Sequence, residues 1–251
     1  MDLIGRSAPI VTVRAQVARV APLDTPVLIT GEPGTGKDLV AAAIHKAGPR
    51  AGRRLLAFDV AQIPESRLED ACFGSAPATC PDAPAGRRGW LEEAQGSSVL
   101  LCHLHCWPRA LQPWLLRLLR ERVYVRDGEA HPIPADVRII ATTDADPEEF
   151  LADGPLSEAL YDVLSVDAIH VAPLRDRVDD IPLLARYFLD RMARDYRKEI
   201  TGFVPEALTI LTRHRWPGNV RELMNVVERA VLFSTNKRIV PDDVAGLLQG
   251  R

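Results

Sequence analysis

The chain has 251 residues, of which 47% are hydrophobic and 26% charged, enough for one large domain or a large and a small one around a sizeable core. Its net charge of -3 excludes nucleic-acid binding driven by an overall basic field, and 4 cysteines are too few for a disulfide scaffold. No apolar run is long enough to span a bilayer, and Met1-Asp2-Leu3-Ile4 lacks a signal-peptide layout, so a cytoplasmic chain with reduced thiols and no membrane contact is expected.

In chain order, an amphipathic helix is predicted over residues 9–20, because Ile10, Val13, Val17 and Val20 recur at helical spacing. Val27-Leu28-Ile29-Thr30 reads as a buried strand, and an alanine-rich helix starts at Lys37. Residues 55–60 read as a second buried strand and 64–72 as a short helix, while the Ala-, Pro- and Gly-rich stretch 73–88 reads as an exposed excursion. A short helical piece over 90–94 and a third strand over 98–101 follow. From Pro108 onward Leu111, Trp114, Leu115, Leu118 and Leu119 share one helical face, leaving Arg109, Arg117, Arg120 and Arg122 as a solvated surface. Asp127-Gly128 marks a hairpin turn, 137–142 a fourth strand, 155–164 a helix and 167–171 a fifth strand. Strands alternating with helices mean an α/β fold with a doubly wound, largely parallel sheet. Beyond Pro173 only helices are predicted, over 181–196, 205–214, 220–233 and 242–248, with Asn219 as a natural N-cap after Pro217-Gly218. The expected organisation is an α/β domain over residues 1–172 and a small all-helical domain over 173–251.

The most specific chemistry lies in Gly31-Glu32-Pro33-Gly34-Thr35-Gly36-Lys37-Asp38-Leu39, which meets the spacing G-x-x-x-x-G-K between a strand and a helix. Glycines let backbone N–H groups curl around an anion, the helix N-terminus adds partial positive charge, and Lys37 supplies a mobile point charge. These are the parts of a phosphate-binding loop for a nucleotide. The Ser or Thr that would hold Mg²⁺ is replaced by Asp38. A second cluster, Cys102-His103-Leu104-His105-Cys106 with Cys72 and Cys80 upstream, offers soft-metal ligands in a spacing that matches no standard finger. On an extended strand its alternate residues point opposite ways. Buried small cysteines with surface histidines is the simpler reading, and a metal or thiol sensor on Cys102, His103, His105 and Cys106 is the alternative.

These residues resemble one family from end to end, the AAA+ domain of bacterial sigma-54-dependent transcription activators, or enhancer-binding proteins. The resemblance is carried by Leu3-Ile4-Gly5-Arg6-Ser7, by GEPGTGKD from Gly31 to Asp38 where the family usually reads GESGTGKE, by Leu68-Glu69 with Phe73-Gly74, and by Leu111-Gln112 with Leu115-Leu116. It continues through Asp136 to Ala141, Pro173 to Arg177, Asp180 to Leu184, and the distinctive Trp216-Pro217-Gly218-Asn219-Val220-Arg221-Glu222-Leu223. It implies the AAA+ P-loop NTPase fold with a helical lid. It also implies ATP or ADP held by Ile4, Gly5, the residues from Gly31 to Leu39 and the sensor arginine Arg221. Asp38 then stands where the family itself has an acidic residue. Family members form a ring, usually a hexamer, in which ATP hydrolysis drives a loop against the sigma factor. A sensory domain usually precedes this region and a helix-turn-helix follows it, so direct DNA binding by these residues is not expected.

Aligned to the family, the working parts are replaced. The acidic pair that serves Mg²⁺ and the attacking water is Cys102-His103, and a thiol is a poor ligand for a hard cation, so Mg²⁺ binding is expected to be weakened. The two arginine-finger positions are Ser157 and Val163, and the polar sensor, asparagine in the family, is Asp144. The sigma-contacting loop aligns to Ala78-Thr79-Cys80-Pro81-Asp82-Ala83, without its aromatic residue and glycines, so sigma-54 contact is not expected to be intact. The resemblance and these losses together read as a nucleotide-binding domain with little or no hydrolysis of its own. It would act through self-association, a mixed AAA+ ring or contacts with other transcription regulators. The alternatives are an active ATPase that remodels sigma-54 polymerase with unusual residues, and the thiol- or metal-sensing module.

Overall fold

The computed structural model describes residues 3–75, 87–126, 131–145 and 156–248. By packing, the chain forms two compact units, one combining Met1–Ala15, Gly31–Gly36 and Val171–Arg251, the other Gln16–Thr30 and Lys37–His170.

The chain opens with α1 (Ala8–Val20), β1 (Val27–Thr30), α2 (Lys37–Ala47), β2 (Leu56–Asp59) and α3 (Glu65–Phe73). Then follow β3 (Gly74–Ser75), β4 (Arg87–Arg88), α4 (Trp90–Glu93), β5 (Ser97–Cys102) and α5 (Gln112–Glu121). After these come β6 (Val123–Tyr124), β7 (Ile133–Pro134), β8 (Val137–Thr143), a helix at Glu158–Ser165 and β9 (Ala168–His170). Five of the strands build one sheet in the order β2-β5-β8-β1-β9, with every neighbouring pair parallel. β1 and β8 are buried along their whole length, as expected of central strands covered on both faces and therefore written, apart from Arg138, in Val, Leu, Ile, Ala and Thr. Beneath them Leu28, Leu68, Phe73, Trp90, Leu101, Leu115 and Ile139 share one apolar core.

Arg138 is 1% exposed within β8. Its guanidinium donates to the carbonyls of Val20 at 2.7 Å, Ala21 at 2.9 Å and Thr25 at 3.3 Å, using a charged fork to satisfy acceptors where α1 ends. Burial lowers its pKa from the ordinary arginine value, but three charge-assisted bonds compensate for the lost hydration.

Several sequence expectations are corrected by this architecture. β2 lies at the edge of the sheet and is only partly buried, with Ala57 exposed, because among the described residues no strand pairs on its outer side. The stretch after Cys102 is not extended: His103 adopts a left-handed conformation (φ 55°, ψ 48°) and Leu104–Cys106 forms a 3-10 turn, so the chain leaves the sheet there. The excursion 73–88 begins with Phe73 buried at 2% and with β3 and β4 paired antiparallel. Its middle, including Cys80 and the 78–83 loop, lies outside the described residues, as does the Asp127-Gly128 turn, although β6 and β7 pair as the arms of that hairpin.

The other unit is helical: Ile181–Asp195, Pro205–Arg213, Asn219–Phe233 and Pro241–Leu248 enclose Leu174, Ile181, Phe188, Leu211, Leu223, Val227 and Trp216. Trp216 is fully buried, and its indole N–H donates to the Leu211 carbonyl at 2.8 Å. Asn219 does not act as the N-cap. It lies within the first turn, while Gly218 takes the cap position and its N–H donates to Glu222 Oε2 at 2.8 Å.

Candidate functional site

In the helical unit the loop Gly31–Gly36 is held by partners on three segments. Asn219 is fully buried: its Oδ1 accepts from the Leu174 N–H at 2.7 Å, and its Nδ2 donates to Glu32 Oε2 and the Pro33 carbonyl, each at 3.0 Å. Arg175 closes a two-pronged pair on Glu32 at 2.9 and 2.5 Å. Arg177 donates to the Thr35 carbonyl at 2.8 Å, and the backbone N–H of Arg221 to the Gly34 carbonyl at 3.2 Å. The Arg221 side chain is exposed.

These contacts leave no room for a side chain at the glycines. A Cβ at Gly31 (φ 143°) would sit 2.5 Å from the Val171 carbonyl oxygen, and one at Gly34 (φ 78°) would sit 2.4 Å from that of Gly218. Gly36 also has positive φ, at 102°. The turn therefore needs glycine for its conformation and for close approach of backbone. Ile4 packs on the edge of the helical core, and the Gly5 region is fixed by Asp180. This wholly buried carboxylate accepts from the backbone N–H of Arg6 at 2.6 Å and of Ser7 at 2.9 Å, and from the Ser7 hydroxyl at 2.6 Å. The sequence matched Asp180 and Gly5 as separate motifs and gave no signal that one holds the other.

In the sheet unit the other candidates gather at the carboxyl ends of the parallel strands, the edge at which open α/β sheets bind ligands. Asp59 and Cys102 end β2 and β5 and are register partners, and Asp144 follows directly on β8. Lys37 opens α2 with its side chain 8% exposed and forms an ion pair with the Asp144 carboxylate, itself 24% exposed. His103 stands between two acids: Nδ1 lies 2.7 Å from Asp59 Oδ1 and Nε2 3.6 Å from Asp144 Oδ2. Burial raises the Asp59 pKa. The His103 bond and charge, with Gln62 and the Ala61 N–H, outweigh that and hold the carboxyl below its ordinary range.

Asp38 is exposed and Leu39 partly buried on the first turn of α2. Cys102 Sγ lies 3.9 Å from Asp38 Oδ1, and burial first, then the Asp38 charge, pushes its thiol up to about 11. His105 Nδ1 is 3.1 Å from Thr143 Oγ1 and Cys106 is exposed. Among the described residues no three His, Cys, Asp or Glu side chains are arranged to hold a metal ion, so Cys102, His103, His105 and Cys106 are not brought together as a ligand set. Ser157 is exposed at the start of its helix, its N–H donating to Gln112 Oε1 at 2.7 Å, and Val163 is half-buried on that helix. The His103–Asp59 contact escaped sequence reasoning, because it joins residues 44 apart and depends on the register of β2 against β5.

A parallel sheet in the order β2-β5-β8-β1-β9, with a glycine loop running into a helix at a lysine, is the fold of an AAA+ P-loop NTPase. Residues 3–170 match the model of the Sigma-54 interaction domain and residues 175–251 that of the AAA+ ATPase lid domain, so the chain belongs to the Sigma-54 interaction domain family. It is 43% identical over 233 residues to the formate hydrogenlyase transcriptional activator FhlA of Escherichia coli, a match covering 93% of this chain and 34% of that protein. The crystal structure of NtrX from Brucella abortus in complex with ATP is similar with a TM-score of 0.89 and 32% identity, over 99% of this chain and 55% of NtrX. The NtrX complex with ADP gives 0.88 and 33%, over 98% and 55%. The chain thus spans about a third to just over half the length of these relatives. No helix among the described residues is long and apolar enough to cross a membrane.

Proposed function

We propose that this chain is the nucleotide-binding module of a sigma-54-activator-type transcription regulator, that it binds ATP or ADP on the Gly31–Lys37 loop, and that it has lost effective hydrolysis. It then acts through nucleotide-dependent assembly or protein contacts in the cytoplasm. The fit to phosphate is supported by a glycine turn with positive φ at Gly31, Gly34 and Gly36 that leads into a helix N-terminus, and by a buried ammonium at the helix start. Gly31 to Leu39 would hold the phosphates, with Ile4, Gly5 and Arg221 contributing as the family resemblance implies. When bound, the nucleotide supplies a ligand whose phosphate number can be read by the protein.

The position that the family uses to hold Mg²⁺ does not fit the cation here. Carboxylates normally serve this hard cation, and the equivalent position is a thiol kept protonated by burial at about 11. The observation that carries the reading is His103. At the position where the resemblance places the glutamate base stands an imidazole whose Nδ1 is held by Asp59 at 2.7 Å and whose Nε2 faces, at 3.6 Å, the Asp144 carboxylate that pairs with Lys37. With Ser157 and Val163 at the finger positions, no arginine is offered to a neighbour's site from this segment. A base is worth about 10² to 10⁴ in rate and a finger about 10³ to 10⁵.

Calorimetric titration of the full chain with ATP and with ADP tests the binding half. Saturable binding is expected, and Lys37→Ala weakens it at least about tenfold, since a buried charge-assisted contact is removed. Failure of both nucleotides to bind contradicts the reading.

A further inference from the structure

The charges around Lys37 determine which nucleotide fits. In a phosphate-binding loop the lysine reaches the β- and γ-phosphates, and here its ammonium is already in contact with a carboxylate. Asp144 is not a passing surface partner: it is three-quarters buried and faces His103 Nε2 at 3.6 Å. His103 is in turn anchored on Asp59 at 2.7 Å by a left-handed backbone that turns the chain out of β5. Among the described residues around Lys37, its ammonium and the His103 ring stand against the carboxylates of Asp59 and Asp144, with Asp38 beside the Cys102 thiol. Each terminal phosphate must share Lys37 with Asp144. A triphosphate brings one more negative charge than a diphosphate, and it brings that charge to the end of the chain that the lysine serves.

Resting on the nucleotide-binding reading above, we propose that Asp144 makes this a diphosphate-selective site, one that holds ADP in preference to ATP. Asp144 acts as a built-in anion on the phosphate-binding lysine, and the His103–Asp59 pair keeps it there. The residue is a specificity determinant, not a catalytic one.

The test is competition of ADP and ATP for the full chain in excess EDTA, so that free Mg²⁺ does not mask the phosphate charge. ADP binds at least about tenfold tighter than ATP, the equivalent of about 1.4 kcal/mol. In Asp144→Asn, which keeps shape and removes charge, the ratio falls to within about threefold, mainly through tighter ATP binding. Asp144→Ser gives the same collapse of the ratio and covers the case in which the amide variant misfolds, folding being followed by thermal melting. Equal affinities in the native chain, a preference for ATP, or a ratio unchanged in both variants overturns the proposal while leaving nucleotide binding intact. Absence of binding by either nucleotide overturns this proposal together with the reading it rests on.

Discussion

At position 103, where the resemblance places the acid that serves the attacking water, stands a histidine with Nδ1 2.7 Å from Asp59 and Nε2 3.6 Å from Asp144. Its neighbour Cys102 has its thiol pushed up to about 11 by burial first and then by the Asp38 charge. Only the thiolate reacts, so at mildly alkaline pH Cys102 should alkylate about tenfold or more slowly than an ordinary cysteine, and the exposed Cys106 should label before it. Peptide mass spectrometry after a timed iodoacetamide pulse reads this directly, and faster labelling of Cys102 than of Cys106 would favour a thiol sensor. The titration of this corner also has a definite sign. Burial, with smaller contributions from His103 and Lys37, lowers the His105 pKa below 6.5, so its contribution to stability is complete above 6.5 and is lost as pH falls through the folded value. Asp59 is lowered below 3.8, so its contribution persists above 3.8 and is lost only in stronger acid. Stability should therefore decline on moving from about pH 7.5 to about pH 5.5, with a smaller decline in His105→Gln, as thermal melts across pH will show.

At the scale of elements, the phosphate loop was legible because its signal is local: a β-branched run, glycines at fixed offsets, and a lysine opening an alanine-rich helix. What holds it was not legible. Asn219, read as a helix cap from its place after Pro217-Gly218, instead ties Glu32, Pro33 and Leu174 together, a role set by residues 45 to 187 positions away. Gly34 shows the consequence. Substitution to alanine would force a left-handed alanine against the Gly218 carbonyl at 2.4 Å, displacing either the loop or the turn before Asn219. Gly34→Ala is expected to weaken ADP binding at least about tenfold while shifting stability by only about 1–2 kcal/mol, because the strain falls on the loop and not on either core. Calorimetry and urea denaturation on the same preparation separate the two effects. Loss of stability without loss of affinity would mean that the loop is not the binding element.

Across the whole molecule, hydrophobic periodicity gave the alternation of strands and helices, and the change of character near residue 173 marked the passage to helices alone. Periodicity speaks only of neighbours in sequence, so it could not show that β2 closes the sheet as an edge strand, nor that a buried Arg138 serves the end of α1. It was also silent on packing, in which Met1–Ala15 and Gly31–Gly36 belong with Val171–Arg251. The proposed loss of catalysis belongs to this scale, since a mixed ring could supply arginines from another chain but could not replace Cys102 and His103. The most direct test is therefore phosphate release from ATP by the full chain over a wide concentration series, beside the same series for Lys37→Ala. The account predicts release indistinguishable from the Lys37→Ala background at every concentration, although nucleotide binds. Release that climbs steeply with concentration and disappears in Lys37→Ala would contradict it, showing that an assembled ring turns ATP over without its usual acids and fingers.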